Sequence, residues 1–149
     1  MDEQIIKTIR LPRSIVDKAQ TEATNLGLTF ADVVETALGT YFKMKPNPRT
    51  DILLKVAELL KKDYRDSYPQ DVTLQVFRKI RSDDSLLRAY KAAISDPTGT
   101  ESENLKATLH RQIGLCVRRV LGAKVIGRSV ELDPNIELIK THALLEPDN

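Results

Sequence analysis

Residues 4–42 read QIIKTIRL (4–11), P (12), RSIVDKAQTEATNL (13–26), G (27), LT (28–29) and FADVVETALGTYF (30–42). The first eight decide how the rest is understood. Read as a strand, Gln4–Leu11 places Ile5, Ile9 and Leu11 on one face together with Lys7, and Ile6, Thr8 and Arg10 on the other. Pro12 has no amide proton to continue a ladder and ends the strand.

Working outward, Arg13–Leu26 has helical spacing, with Ile15, Val16, Ala19, Ala23 and Leu26 in one stripe. Ser14 with Asp17 has the pattern of a capping box near its start. Gly27 suits the left-handed residue that closes a helix. Thr29 with Asp32 repeats the capping pattern, and a second helix follows over about Phe30–Phe42. Its apolar residues recur three and four apart: Phe30, Val33, Val34, Ala37, Leu38, Tyr41 and Phe42.

Lys43–Thr50 (KMKPNPRT) reads as a connection stiffened by Pro46 and Pro48. This divides the chain into a head (1–45), a linker (46–50) and a second, mainly helical domain (51–149). In that domain the spacing predicts helices over Asp51–Tyr64, Val72–Ile80, Ser85–Ile94 and Glu101–Leu121. Asp96–Thr100 (DPTGT) is a turn, and Gly122 closes the longest helix. Val125–Leu132 is a short strand or hairpin bent at Gly127. Asp133-Pro134 opens an expected last helix holding Ile136, Leu138, Ile139 and Leu144.

With 149 residues, 41% hydrophobic and 30% charged, the chain has the composition of one or two folded domains and not of long disorder. Its net charge of +2 requires any nucleic-acid surface to be a local concentration of Lys and Arg. The N-terminal stretch lacks the apolar run of a signal peptide, and no segment approaches the ~20 apolar residues of a membrane helix. One cysteine, Cys116, excludes an intrachain disulfide, and His110 and His142 are too few for a Cys/His zinc site. The simplest expectation is a cytoplasmic protein with no cofactor and no metal.

The segments IRLPRSI, ATNLGLT and ADVVETALGTYF, in this order and spacing, resemble the ribbon-helix-helix (Arc/MetJ/CopG-type) DNA-binding family over about residues 4–43. The resemblance implies an intertwined homodimer whose two N-terminal strands form an antiparallel ribbon, four helices sharing one core. Forty residues with a lone strand cannot bury a sufficient core, which independently argues for a second copy. The expected fold is thus mainly α: a ribbon-helix-helix head plus a mostly helical C-terminal domain.

A two-stranded ribbon fits the DNA major groove. By the resemblance, the base-reading residues are Ile6, Thr8 and Arg10. Arg10 can fork onto guanine, Thr8 can bond a base edge, and Ile6 offers apolar contact to a thymine methyl, where the family usually carries a polar residue. The free amides at the start of the second helix, on Thr29, Phe30 and Ala31, are carried over as phosphate anchors. Asp32 caps that helix but opposes an approaching phosphate. Lys7, Arg13 and Lys43 are further phosphate-binding candidates.

In the C-terminal part, Cys116 lies on an apolar stripe and reads as core. His110 and His142 read as surface or capping residues. Arg118, Arg119, Lys124 and Arg128 form the densest basic cluster, either complementing a helix dipole or offering a second phosphate surface. Glu101 and Glu103 suit a helix first turn. No nucleophile–base pair, phosphate loop or metal spacing is present, which argues against an enzyme.

The expected function is a sequence-specific DNA-binding transcriptional regulator, a repressor, acting as a homodimer or a higher oligomer. Residues 51–149 would hold dimers together or bind an effector or a protein partner. The alternative is a plasmid or phage maintenance protein (partition, DNA transfer or antitoxin) with the same head. A third reading is an enzyme dimerised by its head, to be revived by a concave pocket of ionisable residues.

Overall fold

The computed structural model describes residues 3–45 and 47–148. Among them are six helices, α1 (Arg13–Leu26), α2 (Phe30–Tyr41), α3 (Pro48–Asp63), α4 (Val72–Ser82), α5 (Asp84–Ile94) and α6 (Glu103–Leu121), followed by β1 (Ala123–Glu131) and β2 (Thr141–Pro147).

The N-terminal ribbon is overturned. Residues 3–12 have no regular secondary structure and are exposed throughout. The two-stranded sheet lies instead at the C-terminal end, where β1 and β2 pair antiparallel. A strand exists only when a neighbour completes its ladder. β1 and β2 satisfy each other, and among the described residues no strand lies beside residues 4–11. The apolar residues read as core on that segment are accordingly in solvent: Ile5 is 71% exposed and Ile9 63%. The expected fold, with its ribbon and intertwined dimer, therefore gives way to a helical chain closed by a C-terminal hairpin.

The head's helices form where the spacing places them, though they are capped differently. Pro12 takes the N-cap position of α1 and no side chain caps that end. Ser14 sits inside the first turn, too late to cap, and Asp17 pairs with Arg13 at 3.6 Å. Gly27 closes α1 at φ 72°, and Leu28 N–H donates to the Ala23 carbonyl. The second capping box does form, with Thr29 Oγ1 accepting from Asp32 N–H and Asp32 Oδ2 accepting from Thr29 N–H.

α3 begins at Pro48, three residues before the expected start, because proline is well suited to a first helical position and Asn47 Oδ1 accepts from Arg49 N–H. It runs through the centre of the core, with Ile52, Leu53, Val56 and Leu60 fully buried against α5 and α6. Cys116 on α6 joins that core as expected, its Sγ lying 3.9 Å from the Leu53 carbonyl oxygen. Burial pushes its thiol up to about 12, which removes it from nucleophilic chemistry. Leu26 and Leu28 belong to the same cluster, so the head leans on the body through the end of α1.

The last helix expected after Pro134 is also absent. Residues 134–140 are turns and bends, closed where Leu132 N–H donates to the Lys140 carbonyl, and β2 follows. The segment Thr141–Pro147 is held extended by its pairing with β1; His142 and Leu145 are buried, and Leu145 N–H donates to the Gln70 carbonyl at 2.9 Å. The bend at Gly127 is present, at φ 63°, within the register shift between Ile126 and Val130.

Candidate functional site

The sequence singles out two groups in the head. Ile6, Thr8 and Arg10 lie together on the exposed arm, and Ile6 is 96% exposed. Lys7 on the same arm is exposed too, and neither Lys7 nor Arg10 has an acidic partner among the described residues. Arg13 follows at the start of α1, and its pair with Asp17 is solvent-exposed and weak. The arm therefore presents three cations and a threonine over seven residues, in an open conformation.

The start of α2 is differently disposed. Thr29 N–H is already taken by Asp32, while Phe30 and Ala31 N–H have no partner among the described residues. The Asp32 carboxylate is buried and shared: its other oxygen accepts from Arg49 Nη2 at 2.9 Å. Arg49 offsets the negative charge that opposes a phosphate there. It also ties the second helix of the head to α3. Lys43 stands at the far end of α2 in the left-handed region, at φ 55°, within a closure where Met44 N–H donates to the Gly39 carbonyl. It thus lies at the opposite end of α2 from Thr29.

Near these groups lies uncovered apolar surface. Leu38 and Tyr41 on α2 are exposed, as are Phe42 and Met44 beyond it and Ile15 on α1. A cleft of about 610 Å³ runs between this face and the start of α3, lined by Leu38, Phe42, Met44 and Leu54 among others.

Sequence reasoning missed a second site altogether. A groove of about 520 Å³ lies between one face of α6, the residues 134–145 and the floor made by Thr73 and Phe77 of α4. The α6 face is built by helical spacing: Glu103, Lys106, His110, Gly114 and Arg118 recur at three and four, with Arg111 beside them. Gly114 leaves an open stretch, since a Cβ there would meet nothing within 4 Å.

Both histidines line this groove, which corrects their reading as surface or capping residues. His110 is half-buried, edge-on to Phe77 and stacked against Tyr90, whose hydroxyl lies 2.7 Å from Nε2. Burial, with Lys106 next, lowers the His110 pKa to about 4, against an opposing pull from Glu103. The ring is neutral at pH 7. Burial raises the Tyr90 pKa, so its phenol stays protonated. The phenol and Nε2 share one hydrogen bond, whose direction is set by the imidazole tautomer.

His142 is only 6% exposed, and its Nδ1 has no hydrogen-bond partner. Glu137 has a side chain 8% exposed, and Arg78 places both Nε and Nη2 on the same carboxylate oxygen, at 3.0 and 2.9 Å. The other oxygen, Oε2, is buried without a partner. The spacing along α6 was legible in the sequence. The wall opposite it was not, because the expected terminal helix would have placed Glu137 and His142 elsewhere.

No group of three His, Cys, Asp or Glu side chains able to hold a metal forms among the described residues, and none of the described helices is long and apolar enough to cross a membrane. No family model, curated protein or solved structure matches the chain.

Proposed function

We propose that the chain is a sequence-specific DNA-binding regulator that works as a homodimer, with the head (residues 3–45) as the DNA-contacting part. One observation carries this reading. The arm is open to solvent over residues 3–12, and it combines Lys7 and Arg10, unpaired among the described residues, with isoleucines that none of those residues covers.

The two halves of that observation ask for two partners. Isolated exposed apolar residues are ordinary, but so many on the arm, α1 and the end of α2 suit a surface that another protein covers. A second copy of the head offers the same apolar face and needs no further component. The cations then lie on a doubled, positively charged edge. Arg10 forks onto the O6 and N7 of a guanine, Thr8 bonds an adjacent base edge, and Lys7 and Arg13 hold phosphates. Ile6 contributes apolar contact with a thymine methyl.

Selection of bound sequences from a random DNA pool by the full chain tests this. Enrichment of a two-fold-related motif is expected. Arg10→Ala is expected to cost about 1–3 kcal/mol of discrimination at one position of each half-site, leaving the oligomeric state unchanged. Binding should also weaken steeply as salt is raised, because phosphate neutralisation releases counterions. A pool without enrichment, or a sequence preference unaltered by Arg10→Ala, refutes the reading.

A further inference from the structure

We infer that the groove between α6 and residues 134–145 is a binding site for a small hydroxylated organic anion, a carboxylate or a phosphate ester. The inference does not depend on what the head binds.

Size and shape come first. About 520 Å³ falls within the range of small-molecule sites, and the groove has an apolar floor at Phe77 with polar groups converging on it, as such sites do. The open stretch at Gly114 gives a ligand room against the helix backbone.

Charge decides the sign of the ligand. Lys106, Arg111, Arg118 and Lys140 line the groove, and none of them has an acidic partner among the described residues. Of the two carboxylates that line it, Glu137 is already paired with Arg78, leaving Glu103 as the only opposing charge there among the described residues. An anion is therefore favoured, and a planar carboxylate or a phosphate matches the fork of either arginine.

The orphaned polar atoms add the second requirement. Buried polar atoms in folded proteins are nearly always hydrogen-bonded, and each exception needs an account. Here two belong to residues that line one groove, Glu137 Oε2 and His142 Nδ1. A carboxylate oxygen can only accept, so Oε2 calls for a donor. A ligand with an anionic end and at least one hydroxyl satisfies the cations and Oε2 together, whereas a bare anion leaves Oε2 unsatisfied.

Titration calorimetry on the full chain, at constant ionic strength, tests this with two matched pairs. Glycerol 3-phosphate and propyl phosphate differ in their hydroxyls, as do malate and succinate. In at least one pair the hydroxylated member should bind saturably, with about tenfold higher affinity than its partner. The pair that responds separates a phosphate from a carboxylate ligand. Gly114→Leu fills the open stretch with an unchanged charge and should abolish that binding. Glu137→Gln removes that acceptor and a negative charge, so it should cut the preference for the hydroxylated member over its bare partner. Thermal unfolding of both variants checks that they are folded. Absence of saturable binding by all four compounds, equal affinities within both pairs, or undiminished binding by folded Gly114→Leu would each overturn the inference.

Discussion

Gly27→Ala offers a quantitative test of how the head is joined to the body. Gly27 adopts φ 72°, where an L-residue is strained by about 1 kcal/mol. A Cβ built there also lies 3.2 Å from Cys116 Cα and 3.3 Å from Cys116 N, so backbone atoms of α6 would have to yield by a few tenths of an ångström. Overpacking of that kind costs about 1–3 kcal/mol, and the two contributions together give about 2–4 kcal/mol.

Gly122 supplies the control. It has φ 58°, similar backbone strain, and nothing within 4 Å of a built Cβ. Gly122→Ala should therefore cost only about 1 kcal/mol. Urea unfolding of the wild type and both variants, followed by circular dichroism, measures the difference. With a slope of about 1–3 kcal/mol per molar, the Gly27→Ala midpoint should fall about 1 M below that of Gly122→Ala. Equal midpoints would show that the end of α1 does not press on α6 and that Gly27 is needed only for its turn.

Asp32→Ala should cost about 2 kcal/mol, because it frees both Thr29 N–H and the Arg49 guanidinium, whereas Asp32→Asn keeps an acceptor and should cost about 1 kcal/mol. A double-mutant cycle in denaturant with Arg49→Ala should return a coupling of about 0.5–1 kcal/mol, and zero coupling would remove the ion pair from the account. His110 predicts an acid-sensitive contribution. Its folded pKa of about 4 lies below the ordinary 6.5, so the unfolded chain binds the extra proton. The contribution is complete above pH 6.5 and is lost as pH falls from 6.5 towards 4. The whole shift corresponds to about 3 kcal/mol, and solvent screening of a half-buried ring reduces this to about 1 kcal/mol. Unfolding free energies from pH 7.5 to 4 should therefore fall about 1 kcal/mol further for the wild type than for His110→Gln, and parallel pH profiles would refute the assignment.

What the sequence by itself determined was everything carried by local periodicity and turn chemistry. The extents of α1 and α2, the glycines that close α1 and α6, the Thr29–Asp32 capping box and the burial of Cys116 follow from spacings of three and four and from residues suited to a left-handed turn. Those features need only neighbours close in the chain. What tertiary structure alone decided was which segments find a partner. Gln4–Leu11 alternates except at Lys7, yet among the described residues no strand lies beside it to complete a ladder. Thr141–Pro147, by contrast, is a strand because β1 lies alongside to receive its hydrogen bonds. The groove belongs to the same class: its helical side is visible in the spacing of Lys106, His110 and Arg118, but Glu137 and His142 face it only because the hairpin folds back, and that return is a long-range contact that no local pattern encodes.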